Sequence, residues 1–242
     1  MTSQSRTLVL AILMGLLCAC GSDSDSSNNS DRPSGAPAQL TGHVAVQGQP
    51  FRLQVVTGDN VLVQQSGPIR LSRLDGSTDE LLGLVSERKD GNSTEYSVAT
   101  QSGKTATVTI AATNDTSFRI TVTGPGVAGV VIGLQLEPEE VIYGLTERLR
   151  DSAALSQELH GPPIEEFSPD AVSTLNRRGE IVEMFVRPTV ALYAPFYHSS
   201  RGYGLWIEGS SPGVFDIGAS HHDELVMRME TARPQGLSFH IF

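Results

Sequence analysis

Hydrophobic residues recur at every second position over much of this chain. In three segments, Phe51–Val55, Thr105–Ile110 and Phe118–Thr123, apolar residues alternate with polar ones. Because successive side chains of a β-strand point to opposite faces, this period of two places one face on a core and the other toward water. Many short strands at this spacing predict an all-β fold, an antiparallel β-sandwich. Turn-forming sequences separate the early strands, at Gly58-Asp59-Asn60, Ser66-Gly67-Pro68, Asp75-Gly76, Asp90-Gly91-Asn92 and Asn114-Asp115.

Later segments continue the strand pattern, with one exception. Glu147–Leu159 is the only plausible helix, and Pro162-Pro163 ends it. The last predicted strand is apolar up to Phe242, so we expect that a longer protein continues beyond it. The later strands are predicted at Ile181–Val186, Tyr193–Ser199, Gly204–Glu208, Gly213–Ile217, Glu224–Glu230 and Leu237–Phe242.

The N-terminus indicates export. Leu8–Leu17 is an unbroken apolar run after Arg6, and as a helix it would reach about 15 Å, roughly half of a bilayer core. A short apolar core after a positive start is typical of a secretory signal peptide. The following Leu17-Cys18-Ala19-Cys20 resembles the bacterial lipobox. We therefore predict a signal peptide over residues 1–19 and a lipidated Cys20; the alternative is an ordinary secreted protein cleaved nearby.

The lipobox predicts an exported lipoprotein, held on a membrane at the periplasmic or cell-surface side. Residues 20–39 are predicted to be a flexible tether, because their Ser, Asp, Asn, Gly and Pro cannot bury enough surface to order the chain. Residues 40–242 are then one sandwich domain. The two cysteines of the sequence, Cys18 and Cys20, both precede it, so we expect neither a disulfide nor a cysteine metal site in the domain.

The charge composition of the chain bears on which partners it can bind. The chain has 17 basic and 27 acidic residues, a net charge of −10, and no run of Lys or Arg. Phosphate backbones are bound by clustered positive charge, so nucleic acid is not an expected partner.

Two motif strings have the wrong context. Gly124–Gly129 fits the dinucleotide fingerprint, but a predicted strand follows it where pyrophosphate binding needs a helix N-terminus. Gly209–Gly213 fits the nucleophile elbow around Ser211, but predicted strands flank it and we interpret it as a hairpin connection. We therefore expect no cofactor.

Acidic and histidine clusters are also poor candidates for chemistry. Neighbouring residues of a strand point to opposite faces, so adjacent acids do not converge on one substrate atom. His221-His222-Asp223 reads as a solvated loop before a strand rather than as a metal site. The adjacent acid pairs are Asp79-Glu80, Glu139-Glu140, Glu165-Glu166 and Asp223-Glu224.

Between Val141 and Gly218 several short blocks recur in a distinctive order. They are Tyr143-Gly144-Leu145-Thr146-Glu147-Arg148, Leu175-Asn176-Arg177-Arg178-Gly179, Val182-Glu183-Met184-Phe185, Ala194-Pro195-Phe196-Tyr197, Ser199-Ser200-Arg201-Gly202-Tyr203-Gly204 and Gly213-Val214-Phe215-Asp216-Ile217-Gly218. In this order and spacing they resemble the N-terminal, galactose-mutarotase-like β-sandwich of glycoside hydrolase family 31, which includes α-glucosidases and α-xylosidases. Glycines, large aromatic residues and Arg201 in these blocks suit structural roles, namely tight turns, buried area and hydrogen bonds to turn carbonyls.

The resemblance implies a function in hydrolysis of α-glycosides, with α-linked oligosaccharides as partners. In the family, catalysis lies in a (β/α)₈ barrel that follows the sandwich and supplies two aspartates. No position of this sequence matches either aspartate, and the single tryptophan, Trp206, stands in a predicted sandwich strand. The resemblance therefore implies a carbohydrate-binding or scaffold domain without its catalytic barrel, inactive alone, with no catalytic residue and no metal site of its own.

One loop departs from the family pattern. Many members carry an aspartate that reaches the sugar pocket after the Val-Glu-Met-aromatic block, whereas this chain has Phe185-Val186-Arg187-Pro188-Thr189. Arg187 and Thr189 are therefore the candidate substrate-rim residues. Two other readings remain open: a stand-alone carbohydrate-binding surface lipoprotein, and a structural module that docks a separate catalytic barrel through an exposed apolar patch.

Overall fold

The computed structural model describes residues 41–145, 176–184, 193–231 and 236–242. All regular elements in these ranges are strands. They are β1 (Gly42–Gly48), β2 (Phe51–Thr57), β3 (Asn60–Gln64), β4 (Arg70–Arg73), β5 (Thr78–Asp90), β6 (Ser93–Thr100), β7 (Thr105–Ala112), β8 (Phe118–Thr123), β9 (Val127–Gln135), β10 (Ile142–Gly144), β11 (Glu180–Met184), β12 (Phe196–Ser199), β13 (Gly204–Ile207), β14 (Gly213–Ile217), β15 (Glu224–Glu230) and β16 (Leu237–Ile241).

Thirteen of the described strands form one hydrogen-bonded series, in the order β10-β12-β13-β16-β8-β7-β6-β5-β4-β9-β15-β14-β11. The long strand β5 divides this series. Its first residues, Thr78–Glu80, pair with β4, and from Leu81 onward it pairs with β6, with register shifts at the change. A bulged strand that changes partners is a usual way to turn a corner between two packed sheets. All the pairings are antiparallel.

The core lies between the two halves of this series. Tyr197 of β12 is fully buried, and its ring meets Phe215 of β14 edge-on, at a centroid distance of 6.2 Å. These strands stand near opposite ends of the hydrogen-bonded order, so the contact crosses from one layer to the other. The prediction of an all-β antiparallel sandwich is confirmed.

A separate three-stranded sheet, β1-β2-β3, lies against the sandwich. It packs through one face of β2, where Phe51, Leu53 and Val55 are buried as their alternation predicts. The guanidinium of Arg201 donates from Nη1 to the carbonyl of Leu62 at 2.9 Å and from Nη2 to that of Val61. Arg201 therefore hydrogen-bonds backbone carbonyls through its fork as predicted, but these carbonyls belong to strand β3 and not to a turn.

Most predicted strands lie where the sequence pattern indicates. Gly213–Ile217 and Glu224–Glu230 have the predicted bounds. The strand predicted from Tyr193 begins at Phe196 instead, because Pro195 has no N–H with which to join a ladder.

The two motif strings behave differently. Val127–Gln135, a strand, follows Gly126, which confirms the context that argued against a dinucleotide site. The hairpin predicted at Gly209–Gly213 is wrong: β13 pairs with β12 and β16, whereas β14 pairs with β11 and β15. This segment is a crossover between the two layers, which the local sequence cannot distinguish from a hairpin.

Three predictions lie outside the described residues: the helix at Glu147–Leu159, the signal peptide, and the tether. Within the described ranges, no helix has the length and apolar character needed to cross a membrane.

Candidate functional site

A buried carboxylate organises the strands that carry the distinctive blocks. Glu140 is 2% exposed. Its Oε1 accepts hydrogen bonds from Ser199 Oγ at 2.5 Å and from the Tyr203 hydroxyl at 2.8 Å, and its Oε2 accepts one from the Glu137 amide at 3.1 Å. Burial raises the pKa of the Tyr203 phenol well above its usual value, and the charge of Glu140 raises it further. The hydroxyl therefore stays a donor to Glu140, and this part of the block is structural.

Two arginines of the Asn176–Gly179 block clamp backbone carbonyls. The buried Arg177 donates to the carbonyls of Gly144 and Leu145 and to the carboxylate of Glu180. Arg178 donates from Nη1 to the Glu140 carbonyl at 2.9 Å. A planar guanidinium with five donors suits such carbonyl clusters. The block, which itself precedes β11, therefore binds the chain on both sides of β10: Arg178 before the strand and Arg177 at its end.

Two of the described acid pairs, Asp79-Glu80 and Glu139-Glu140, each divide between a buried and a more exposed member, as predicted, whereas Asp223 and Glu224 line the same polar hollow. Glu139 is exposed while Glu140 is buried. Asp79 is also buried and bonds Arg73. Burial by itself raises the pKa of Asp79, but hydrogen bonds from Ser102 and Arg73 outweigh it and lower the pKa below its usual range. These acids serve the fold. Glu165-Glu166 lies outside the described residues.

The opposite side of the same sheet carries exposed and half-buried rings, which we call the aromatic face. It consists of Tyr143, Phe196, His198, Trp206, His240 and Phe242, on or directly after β10, β12, β13 and β16. Trp206 is 41% exposed and Phe242 is 46% exposed. The rings belong to positions that alternate with core residues, so the fold itself directs them away from the core.

Strand register brings these rings together. Tyr143 faces His198 across β10 and β12, and their rings stack at 5.2 Å. Trp206 faces Phe196 on one side and His240 on the other. The Trp206 and His240 rings stack at 5.0 Å. The aromatic face is therefore one connected surface across four strands.

A glycine makes room in the middle of this surface. Gly204 exchanges backbone hydrogen bonds with Phe242, and a Cβ at Gly204 would lie 2.7 Å from the Phe242 ring and 3.2 Å from the Phe196 ring. Those two rings stack at 5.7 Å with 8° between their planes. A side chain at position 204 would separate them, so glycine there serves the aromatic face.

Arg119, Glu208 and His240 border Trp206, and we call them the charged trio after the ion pair of Arg119 with Glu208. Arg119 donates through Nε and Nη2 to the two carboxylate oxygens of Glu208, both at 2.7 Å. His240 Nε2 lies 2.6 Å from Glu208 Oε1. The hydrogen bonds from Arg119 lower the pKa of Glu208 from 4.5 to about 2, against partial burial and with help from His240. Glu208 is therefore ionised at neutral pH, and a fixed set of polar groups adjoins the rings.

This combination suits a ligand with both apolar and hydroxylated surface. Binding sites commonly join aromatic area to a few fixed polar groups that set the ligand's orientation. Charge-assisted hydrogen bonds are the stronger kind, so the trio can contribute both affinity and specificity. Within the described residues there is no group of three or more His, Cys, Asp or Glu side chains placed to hold a metal.

The residues that the sequence singled out as site candidates, Arg187, Thr189 and Cys20, lie outside the described residues and stay predictions. Sequence reasoning missed the aromatic face, although a signal exists: Phe196, Trp206 and His240 occupy outward positions of their strands, where polar residues are usual.

Comparisons with known proteins place the fold. No family model and no curated protein matches this sequence. Among solved structures, an uncharacterised protein from Listeria monocytogenes superposes with a TM-score of 0.52 at 10% identity, covering 84% of this chain and 26% of its own. The same protein in complex with α-D-glucose, β-D-glucose, magnesium and calcium superposes with a TM-score of 0.54, again at 10% identity and with the same coverage.

A GH31 family sulfoquinovosidase from E. rectale, in complex with an aza-sugar inhibitor, also matches, with a TM-score of 0.46 at 11% identity, over 84% of this chain and 27% of its own. The fold is therefore shared with the Listeria protein. The chain spans about a quarter of the length of these solved structures.

Proposed function

We propose that this chain is the β-sandwich of a protein of the glycoside hydrolase family 31 type, and that its aromatic face contacts α-linked saccharides. The observation that carries the proposal is the aromatic face with its charged trio. Packing of the sandwich core does not require aromatic rings at these outward positions. The ordered blocks of the sequence support the family. The fold shared with a Listeria protein crystallised with glucose supports the ligand class.

Saccharide recognition follows from the chemistry of the two groups. A pyranose ring has C–H faces that can lie on Trp206 or Phe242, and its hydroxyls can bond Glu208 and Arg119. Stacking on an exposed ring buries apolar surface, while carboxylate and guanidinium fix the hydroxyls. α-Linked oligomers are the proposed class because the ordered blocks resemble an α-glycosidase family.

The chain is proposed to bind and support rather than to cleave. Three of the described carboxylates, Asp79, Glu140 and Glu208, are held by hydrogen bonds from neighbouring side chains. Those of Asp79 and Glu140 stabilise the fold, and those of Glu208 form the charged trio. Retaining or inverting glycosidases need two carboxyls that face each other across the scissile bond. We expect the purified chain to leave an aryl α-glucoside and an aryl α-xyloside intact; turnover abolished by changing one of its own carboxylates would contradict this part of the proposal.

Trp206 makes a direct binding test possible, because it is the only tryptophan of the chain. Titration of the full chain with maltotriose or isomaltotriose should change the Trp206 emission and saturate, and cellotriose, with β linkages, should act more weakly. Phe242→Ala and Glu208→Gln should each weaken binding by about fivefold to tenfold, as for the loss of one good contact. The control is Leu82→Ala, an exposed apolar residue of β5. Unchanged emission, together with no calorimetric heat, would overturn the saccharide role.

A second candidate use of the aromatic face is docking of a separate catalytic barrel. The neighbouring stacked pairs of partly exposed rings favour it, since contiguous exposed apolar surface marks interaction sites. The DNA downstream of the Phe242 codon shows whether such a barrel belongs to the same polypeptide. An in-frame barrel with the family's two aspartates would make the chain one module of an enzyme. In such an enzyme, Arg187→Ala and Thr189→Ala should lower kcat/KM if these residues line the substrate rim.

Membrane anchoring belongs to the same proposal. The Leu17–Cys20 lipobox supports acylation of Cys20, and anchoring by more than one acyl chain is stable. Growth with a labelled fatty acid should label the chain, Cys20→Ala should abolish the label, and Cys18→Ala should keep it. Label retained in Cys20→Ala would contradict the anchor.

A further inference from the structure

A polar hollow of about 400 Å³ lies away from the aromatic face. Its lining is formed by Gln64, Gln65, Ser66, Gln135, His221, Asp223 and Glu224. Three chain segments meet there: the end of β3, the end of β9 and the start of β15. Gln65 bridges Leu134, and Gln135 pairs with Glu224. The hollow is thus built by long-range pairing.

Two of its polar groups are fixed before any ligand arrives. Ser66 Oγ donates to Glu224 Oε1 at 2.5 Å, and the Ser66 amide donates to the Gly133 carbonyl at 3.0 Å. A Cβ at Gly133 would collide with both the Glu224 carboxylate and the Ser66 hydroxyl. Glycine at 133 therefore leaves the space in which this solvent-exposed pair forms.

Gln65 supports the hollow from behind. It is 4% exposed; its Oε1 accepts the Leu53 amide at 3.1 Å and its Nε2 donates to the Gly67 carbonyl. Both polar atoms of the Gln65 side-chain amide are therefore hydrogen-bonded to backbone groups. Gln64 and Gln135 line the hollow and are both exposed.

The lining selects a class of ligand. Two carboxylates and no Lys or Arg line the hollow, so an anion is disfavoured. Its volume exceeds the space around a bare metal ion and lies at the lower end of small-molecule sites, roughly 300–1,000 Å³. Amides both donate and accept, and carboxylates accept, which matches hydroxyl groups that do both.

We propose that the polar hollow is a second binding site, for one neutral pyranose residue. The proposal rests on the proposed function only for the ligand class, because the residues differ from those of the aromatic face. A chain with two such sites can hold separate parts of one polysaccharide, and their joint engagement raises the apparent affinity.

The experiment is an amide NMR titration of the full ¹⁵N-labelled chain with methyl α-D-glucopyranoside. Amides of Ser66, Gly133 and Glu224 report the hollow, and the single indole signal of Trp206 reports the aromatic face. We expect saturating shifts at the hollow amides, with an affinity that Trp206→Ala leaves within about twofold.

Two variants test the hollow itself. Gly133→Ala should weaken the glucoside affinity at the hollow by about tenfold and Gln135→Ala by about fivefold, for the loss of one or two hydrogen bonds. Gly133→Ala should still fold, because the groups in its way are the ends of mobile side chains. The matched controls are Gly67→Ala, whose Cβ would meet nothing within 4 Å, and Gln101→Ala, an exposed glutamine in the β6–β7 turn; both should stay within about twofold.

Each other outcome has a defined meaning. If the Trp206 indole shifts and the hollow amides do not, the hollow proposal is overturned and the proposed function stands. If the hollow amides shift alone, the hollow proposal holds, and the trisaccharide titration decides the role of the aromatic face separately. Shifts at the hollow with calcium chloride or inorganic phosphate but not with the glucoside would overturn the ligand class. Hollow shifts unchanged in both Gly133→Ala and Gln135→Ala would overturn the site.

Discussion

Strands β12, β13 and β16, together with Phe242 after β16, form a region with aromatic side chains on both faces, and the two sets have opposite surroundings. On the inner face, Tyr197 is fully buried and Phe239 is 2% exposed. On the outer face, Trp206 and Phe242 keep more than two fifths of their surface in solvent. Packing explains the inner rings. It gives no reason for the outer rings, and their exposure indicates a contact beyond this sheet.

Each face also holds one organising carboxylate. Glu140, inside, is bonded by Ser199 and Tyr203. Glu208, outside, is bonded by Arg119 and His240 and is 30% exposed. A buried charge depends on its partners because no water replaces them, whereas an exposed ion pair is screened. Hydrogen bonds to the buried Glu140 should therefore contribute more to the free energy of unfolding than those to Glu208.

The largest expected difference is between two phenylalanines three residues apart. Phe239→Ala should lower the free energy of unfolding by about 3–5 kcal/mol, because it removes a buried ring and leaves a cavity. Phe242→Ala should lower it by less than about 1 kcal/mol, since that ring is 46% exposed. Urea unfolding of both variants measures this, and equal losses would show that the two faces do not differ as argued.

The inner carboxylate gives the next largest effect. Glu140→Ala should cost about 3 kcal/mol in urea unfolding, because two hydroxyls and the Glu137 amide lose their acceptor. Glu140→Gln keeps an acceptor oxygen and should cost less. The control is Glu139→Gln, which alters an exposed neighbour. A loss for Glu140→Ala no larger than for Glu139→Gln would contradict the organising role.

The sequence predicts the inner face well and the outer face poorly, for a physical reason. Alternation assigns Tyr197, Leu205 and Phe239 to a core because burial requires apolar residues at every second position. The same period says which positions point outward, but not which strands are neighbours. β13 and β16 are separated by about thirty residues, and their pairing depends on long-range packing.

The candidate sites depend on that pairing. Arg119, Glu208 and His240 come from three distant parts of the sequence and meet only once β8, β13 and β16 are adjacent. The polar hollow likewise combines residues near 65, 135 and 222. Local motifs therefore identified structural blocks, whereas both proposed binding surfaces required the register of the sheets.

The outer carboxylate should give a smaller, pH-dependent effect. The folded pKa of Glu208, lowered from 4.5 to about 2, lies below its value in the unfolded chain. Its contribution is therefore present above about pH 4.5 and is lost as the pH falls toward about 2. Because the pair is partly exposed, we expect about 1 kcal/mol. Urea unfolding at pH 5 and pH 2.5 should show that loss in the wild type and less of it in Glu208→Gln; identical pH dependence in the two would contradict the ion pair's role.

The smallest expected change in stability is at the largest exposed ring. Trp206→Ala removes cross-strand stacking on His240 and contact with Phe196, and such pairs contribute roughly 0.2–1 kcal/mol. We expect a loss of about 0.5 kcal/mol in urea unfolding, similar to that for Leu82→Ala on β5. The loss should be far below that for Leu205→Ala, because the Leu205 side chain is fully buried. Loss of the saccharide response without loss of stability would separate binding from folding at this residue. A loss above about 2 kcal/mol would instead make Trp206 a structural residue, and the outer rings would then need no ligand to explain them.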